Sequence, residues 1–314
     1  MKAVLLNEHV RATFGEGPLW DDENQCLFWV DNAENKIRAY YPKTDQDTSY
    51  QLHKCPMSLA KCSKDELIVI MRDGFYLYHL RQGTLKELIK PKDLNEKLLL
   101  NDAKCDPQGR LWAGSVNDDF RLYKENQDSL QTEFHGQIAS LYRVDKNSDV
   151  QVAKDKVTLS NGLDWDPIRN IMYYIDSANQ EVVQFDYDSK TGEISNEETV
   201  YRFAESDGLP DGMTIDQEGM LWVALFKGGV VAKIDPLQKK WIDSITLPTT
   251  TVTSCTFGGD ELRTLFITTA SEPLSETEKI QQPTAGCLFS AELDVGGYKT
   301  NTFQATLDGS FIHK

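Results

Sequence analysis

Short apolar segments recur along the chain, and each follows a polar residue at a nearly constant interval. In the clearest copies this polar residue, here called the anchor, is followed five positions later by an aspartate and then by the apolar segment, as in Glu16, Asp21 and 27–30. Successive anchors lie roughly 40 to 60 residues apart, as expected for a unit of four short strands. The pattern predicts an all-β fold, a six-bladed β-propeller with four-stranded antiparallel blades around a central channel, with the anchors Glu16, Ser58, Asn101, Asn161, Asp211 and Ser254.

Six blades of roughly 40 to 50 residues account for the whole chain of 314 residues. We therefore expect a single domain, residues 1–314. The N-terminal residues 1–6 form too short an apolar stretch for a secretion signal. They are interpreted as a strand that closes the ring against the last blade.

Composition narrows the range of partners. The formal net charge is -16, which disfavours nucleic acid and anionic membrane surfaces, and no apolar run approaches the roughly 20 residues needed to span a bilayer. The six cysteines include no CxxC pair, which is typical of reduced thiols. We expect a cytoplasmic protein with a small-molecule substrate, no nucleic-acid or membrane partner, and a monomeric or weakly homodimeric state.

In a propeller the innermost strand of every blade runs along the channel, so the six anchors should form a ring around one axis. That ring would hold two carboxylates, two amides and two hydroxyls without a cation. Confined carboxylates repel one another and lose hydration unless protons or a metal ion compensate. Oxygen ligands of this kind favour calcium, magnesium or manganese, with zinc possible. The alternative is a polar channel that only holds water.

Several familiar catalytic motifs are absent from the sequence. It contains no GxSxG, P-loop, GxGxxG or HExxH segment, and all five histidines lie off the anchor positions. Attack by water assisted by a divalent ion and a neighbouring carboxylate remains as the predicted chemistry.

Segments around the anchors carry a resemblance to a known family. They include Gly15-Glu-Gly-Pro-Leu-Trp, Ser160-Asn-Gly-Leu-Asp-Trp and Pro210-Asp-Gly-Met-Thr-Ile-Asp, in order and in register with the repeat. The chain resembles the regucalcin (senescence marker protein), gluconolactonase and luciferin-regenerating enzyme family. The resemblance implies a six-bladed propeller with one divalent site made by Glu16, Asn161 and Asp211. It also implies that Asp211 is the general base and that Asn101 contacts the substrate.

Two departures from the family pattern concern the substrate. Leu99 stands where the family commonly has an arginine, and Ala103 replaces the glycine of an Asn-Asp-Gly segment, so the substrate is expected to be less polar than a sugar lactone. Leu99 is interpreted either as a substrate-wall residue or as ordinary packing. The family's acidic substrate contact falls near Asp119, within a long segment, residues 117–137. This segment is interpreted either as a lid over one mouth of the channel or as a surface excursion.

The function predicted from these observations is a divalent-metal-dependent hydrolase, a lactonase that opens a lactone ring. Calcium is the first choice of cation, with zinc, manganese or magnesium as alternatives. A phosphotriesterase-like hydrolase is the alternative enzyme, because the same metal and carboxylate could attack phosphorus. A non-catalytic calcium-binding regulatory propeller is the alternative outside the enzymes.

Overall fold

The computed structural model describes residues 1–118 and 136–304, in which 24 strands form six four-stranded sheets. Neighbouring strands within every sheet pair antiparallel, and the sheets are arranged as the six blades of a propeller. The prediction of an all-β six-bladed propeller is confirmed. The assignment of one domain to residues 1–314 stays a prediction.

Each blade is built from strands that follow one another along the chain, except the last. In chain order the strands are β1 Val4–Leu5; β2 Gly15–Asp21, β3 Cys26–Asp31, β4 Lys36–Tyr41, β5 Gln46–Gln51; β6 Pro56–Lys61, β7 Glu66–Met71, β8 Gly74–His79, β9 Thr84–Ile89; β10 Leu98–Cys105, β11 Leu111–Asn117, β12 Ala139–Val144, β13 Val150–Val157; β14 Ser160–Asp166, β15 Ile171–Asp176, β16 Glu181–Tyr187, β17 Ile194–Arg202; β18 Leu209–Ile215, β19 Leu221–Phe226, β20 Val230–Asp235, β21 Lys240–Thr246; and β22 Val252–Gly258, β23 Thr264–Thr269, β24 Phe289–Glu292.

The aspartate five positions after an anchor builds the turn between the first two strands of its blade. Asp106 and Asp216 each use Oδ1 to accept two backbone N–H groups of the turn, and each uses Oδ2 to accept the indole N–H of a tryptophan on the next strand, Trp112 or Trp222. Both carboxylates are completely buried. The repeat therefore follows from a requirement of the turn, because a buried carboxylate here must find donors and the turn supplies them.

The ring is closed by the N-terminal strand. β1 pairs with β24 as the outermost strand of the sixth blade, with Val4 opposite Ser290 and Leu5 opposite Phe289. The preceding residues also reach the fifth blade, where the terminal ammonium group donates to the carbonyl oxygen of Ser244 at 2.9 Å. The prediction of a closing strand is confirmed. The N-terminal residues are held to the fifth and sixth blades by noncovalent contacts.

We expect the closing strand to contribute measurably to stability. Leu5 is partly buried against the core of the sixth blade, whereas Val4 on the opposite face is 64% exposed. Leu5→Asp should lower the free energy of unfolding by about 2 to 3 kcal/mol, because it removes a packed leucine and introduces a charge at the seam. Urea denaturation checks this, with Val4→Asp as the matched control. Equal losses for both variants would contradict a packing role for this strand.

Helical structure is minor in the described parts of the chain. It consists of one six-residue helix, α1 at Glu276–Gln281, and three single turns of 3-10 helix. Within residues 1–118 and 136–304, no helix is long and apolar enough to cross a membrane.

Candidate active site

The anchors lie at or near the start of the innermost strands, and contacts between blades draw several of them together. The Nδ2 group of Asn101 donates to Oδ1 of Asn161 at 2.9 Å and to the carbonyl oxygen of Ser160 at 2.7 Å. The hydroxyl of Ser58 donates to Oδ1 of Asp102 at 3.1 Å. Side chains from the second, third and fourth blades therefore meet at the channel.

Close packing of the inner strands depends on glycines beside the anchors. A Cβ atom at Gly17, where φ is +53°, would lie 3.0 Å from the Cα of Ser58 on the next blade. A Cβ atom at Gly162 would lie 2.6 Å from the Cβ of Met213. A larger residue at either position would push adjacent blades apart, because the backbone beside it cannot yield.

The carboxyl groups of Glu16 and Asp211 lie close enough for the charge of Glu16 to raise the pKa of Asp211. Loss of hydration raises the pKa of Glu16 to about 8, assisted by the charge of Asp102 and opposed by the N–H of Gly17, which donates at 2.9 Å. Burial raises the pKa of Asp211 well above its ordinary value, and the charges of Glu16 and Asp102 add to the effect. Three acidic side chains from the first, third and fifth blades thus share one confined space.

Asp102 differs from the other two acids in having nearby positive charge and hydrogen-bond donors. Burial raises its pKa, while the charge of Lys104, the N–H of Ala103 and the hydroxyl of Ser58 act in the opposite direction. The ammonium group of Lys104 donates to Oδ2 of Asp164 at 2.8 Å. Lys104 is therefore paired below the anchors, toward the end of the channel where the inner strands finish.

The amide of Asn161 has a defined orientation. Its Nδ2 donates to the hydroxyl of Ser177 at 2.7 Å, and that hydroxyl donates to the carbonyl oxygen of Pro210 at 2.5 Å. Ser177 is completely buried and Asn161 is 6% exposed. Because the amide nitrogen is held by Ser177, Oδ1 is turned toward Asn101 and is available as an oxygen ligand.

These residues fit a hard divalent cation in their chemistry. Two mutually repelling carboxylates and one oriented amide oxygen form an all-oxygen donor set, which calcium, magnesium and manganese prefer. No group of three or more His, Cys, Asp or Glu side chains is placed to hold a metal ion in residues 1–118 and 136–304. A site at Glu16, Asn161 and Asp211 would therefore depend on the amide for its third protein ligand.

The structure separates the predicted substrate residues into three cases. Asn101 lies among the anchors through its bonds to Asn161 and Ser160. Leu99 lies in β10, half-buried and opposite Val116 of β11. Asp119 and most of the segment 117–137 fall outside the described residues, so that contact and the proposed lid stay predictions.

Asp102 and Ser177 are site residues that the sequence reasoning did not assign. Asp102 directly follows an anchor, and the inner strand bulges at this point, between Leu100 and Ala103. A pattern of alternating residues does not reveal such a bulge, so the direction of the Asp102 side chain could not be predicted. Ser177 follows the second strand of the fourth blade, and its role depends on a carbonyl group of the fifth blade. The only available signal was its place next to the Tyr-Ile-Asp segment at 174–176.

The channel continues below the anchors as a cavity of about 440 Å³. Its walls come from the inner strands, and the segment 298–301 lines it at the far end. This segment and the residues just after it are held by three blades. The Thr300 hydroxyl donates to the carbonyl oxygen of Trp20, and the Asn301 amide donates to that of Cys105. The N–H of Phe303 donates to the carbonyl oxygen of Lys61. The C-terminal segment therefore crosses the far end of the channel.

A ring of four-stranded blades with buried and half-buried acids and amides at its axis defines a six-bladed propeller with an oxygen-lined axial site. The chain belongs to the SMP-30/Gluconolactonase/LRE-like family, because the model of that region matches residues 14–271. The resemblance stated from the sequence is confirmed.

Known proteins of similar sequence and structure extend over nearly the whole chain. The Bacillus subtilis (strain 168) protein YvrE, named for a proposed sugar lactone lactonase activity, is 51% identical over 300 residues, covering 96% of this chain and 98% of its own. Regucalcin of Xenopus laevis is 34% identical over 295 residues, covering 92% and 94%. The solved structure of a luciferin-regenerating enzyme has a TM-score of 0.84 at 29% identity, covering 96% of this chain and 99% of that one.

Proposed function

We propose that this protein is a divalent-metal-dependent hydrolase that opens lactone rings. The proposal is supported by the electrostatic effect of Glu16 on Asp211 and by the fixed orientation of the Asn161 amide, all three residues being anchors on inner strands of the propeller. Membership of the family and similarity to a protein named for lactonase activity support lactones as substrates. The partner proposed for this chain is accordingly a small molecule.

Glu16, Asn161 and Asp211 would hold the cation. When bound there, a divalent ion supplies Lewis-acid polarisation of the ester carbonyl. Calcium is the cation we propose, because all three protein ligands are oxygens and calcium tolerates irregular sets of them.

The side chains of this protein supply the proton transfer and the positioning. Asp211 accepts a proton from the water that attacks the carbonyl carbon, since it is a buried base beside the ligand oxygens. The ring C–O bond then breaks, and the proton passes to the leaving ring oxygen, so that lactone and water give a hydroxy acid. Asn101 lies in the anchor layer, where its Nδ2 donates to Asn161 and Ser160, so its amide oxygen Oδ1 is the atom proposed to contact the substrate.

Removal of divalent cations tests the proposal. Treatment with EDTA should abolish turnover of simple lactones in a pH-stat assay, and calcium should restore it, because Glu16 and Asp211 lose the charge that offsets their repulsion. Calcium should also stabilise the folded protein, by about 2.7 kcal/mol at a concentration one hundred times Kd. The midpoint of thermal unfolding should therefore rise.

The outcomes separate the alternatives. Calcium-dependent stabilisation without hydrolysis across a broad lactone panel would favour a non-catalytic calcium-binding propeller and would contradict the proposal. Faster turnover of paraoxon-type phosphotriesters than of lactones would favour the alternative enzyme. Full activity after exhaustive chelation would contradict metal dependence itself.

A further inference from the structure

The layer of side chains just outside the anchors is apolar in every blade. The residue two positions before each anchor lies at or next to the start of the inner strand. Four of the six residues at this position are half-buried and two are buried. The four half-buried residues, together with Phe226, are here called the collar: Phe14, Leu99, Leu159, Leu209 and Phe226.

One side of the collar runs across the third and fourth blades. Leu99 of β10 lies opposite Val116 of β11 in the strand register. Val116 in turn forms an antiparallel bridge to Leu159, just before β14. These three apolar residues therefore form one continuous row at the end of the channel where the inner strands begin.

The other side of the collar runs from the fifth blade to the first. Leu209 of β18 lies opposite Phe226 of β19. The rings of Phe226 and Phe14 stack with their centroids 6.2 Å apart and their planes inclined by 25°. Phe14 bridges to Ala270 and Phe226 to Thr251, both in or next to the sixth blade, so the aromatic pair spans that blade.

The backbone of the collar is fixed by buried acids at the ends of second strands. The carboxylate of Asp31 accepts the N–H of Phe14 at 3.1 Å, and that of Asp176 accepts the N–H of Leu159 at 2.9 Å. Asp31 and Asp176 are 2% and 5% exposed. The collar is therefore a preorganised wall, and binding against it requires little ordering of the chain.

We propose that the collar selects lactones that carry an apolar substituent over polyhydroxylated sugar lactones. The inference rests on the proposed hydrolase function and adds the substrate class. An alkyl chain on the ring would displace water from half-buried leucine and phenylalanine side chains. The hydroxyl groups of a sugar lactone would lose hydration there without gaining partners.

Arg72 is the charged side chain that competes with this view. Its carbonyl oxygen accepts the N–H of Leu100 at 3.0 Å, so it lies next to the Leu99 side of the collar, and its own side chain is exposed. The guanidinium also acts on the Cys55 thiol, where its charge opposes the rise in pKa that burial causes. Among the described residues, Arg72 is the candidate we consider for a clamp on a polar substrate, so the test includes it.

The test compares γ-lactones with side chains from methyl to pentyl, and glucono-δ-lactone, on the calcium-loaded full chain. We expect kcat/KM to rise about two- to fourfold for each methylene that enters the collar, mainly through KM. Leu99→Arg should flatten this series, lowering kcat/KM for γ-nonalactone at least tenfold while raising it for glucono-δ-lactone. Leu99→Gln provides a milder polar variant should the arginine disturb folding.

A matched control and a binding measurement accompany the kinetics. Leu237→Arg makes the same chemical change at a side chain that is 62% exposed, within the turn between β20 and β21, and should change the turnover of neither substrate. Calorimetry with 3-pentylcyclopentanone, the unreactive carbocyclic analogue of γ-nonalactone, should show a negative heat-capacity change that Leu99→Arg reduces. A structural role for Leu99 alone would instead lower kcat/KM equally for all substrates, which would contradict the proposal.

The remaining outcomes distinguish the two levels of inference. If no lactone in the panel is hydrolysed, the proposed function fails. If glucono-δ-lactone is preferred and the alkyl series is flat, the collar inference fails while the hydrolase stands. Arg72 is decisive if the protein prefers the sugar lactone. In that case, a tenfold loss of glucono-δ-lactone turnover in Arg72→Gln, with the alkyl series unchanged, would show that Arg72 sets specificity and the collar does not.

Discussion

Asp211→Asn is expected to lower kcat for lactone hydrolysis by about a thousandfold. The variant keeps the shape of the side chain and one ligand oxygen, but an amide cannot accept the proton of the attacking water. Without a cation, burial and the charges of Glu16 and Asp102 raise the pKa of Asp211 above its ordinary value. Initial rates should be measured at saturating calcium, since Asp211 is also a proposed ligand.

Two further measurements make the Asp211 result decisive. Titration calorimetry measures the affinity of the variant for calcium and so shows when its site is saturated. A low kcat at saturating calcium then reports loss of the base and not loss of the cation. Asp243→Asn, at an exposed position on β21, is the matched control and should keep the original rate. A kcat for Asp211→Asn within threefold of the original would contradict the proposed mechanism.

Asp106→Ala is expected to lower the free energy of unfolding by about 3 to 5 kcal/mol. The buried carboxylate accepts hydrogen bonds from two backbone N–H groups, the guanidinium of Arg110, the indole of Trp112 and the hydroxyl of Tyr187. Its removal would take the closer of two carboxylate partners from the nearly buried Arg110 and leave an indole without an acceptor. Denaturant unfolding followed by tryptophan fluorescence measures the change.

The control for Asp106 is another turn aspartate with a different setting. Asp188 also accepts two backbone N–H groups, those of Lys190 and Thr191, but its side chain is exposed and binds no buried donor. Asp188→Ala should therefore reduce stability far less than Asp106→Ala. Similar losses for the two variants would show that the turn, and not the buried network, determines the stability of this repeat.

The fold could be predicted from the sequence because the repeat records a local requirement. Each turn aspartate binds N–H groups only two to four residues away, so its spacing from the anchor and from the next apolar strand is visible along the chain. The closing strand was accessible for a similar reason, since β1 lies outside the repeat and the last blade lacks a fourth strand of its own.

Residues of the candidate site could be predicted from the sequence only where they occupy the repeated position. Asn101, Asn161 and Asp211 were found as anchors, whereas Ser177 acts through a carbonyl group 33 residues away at Pro210. Asp102 reaches the same space as Glu16 and Asp211 because the inner strand bulges after Leu100. Contacts between blades and local irregularities of strands leave no periodic signal, so they required the structure.

The collar illustrates the same limit in another form. Leu99 alone was open to two interpretations, and the apolar character of its row becomes visible only when Val116 and Leu159 are placed beside it. The stacked rings of Phe14 and Phe226 come from the first and fifth blades, more than two hundred residues apart. The specificity proposed for the collar therefore depends on side chains from neighbouring blades.

The C-terminal segment that crosses the far end of the channel has a consequence for turnover. Thr300, Asn301 and Phe303 tie this segment to three different blades, so it narrows the far end of the passage in the described part of the chain. In the proposed reaction the hydroxy-acid product would then leave mainly through the mouth by which the next lactone enters. That product is an anion in an acidic protein, so electrostatic repulsion hastens its exit, and the uncharged lactone enters unopposed.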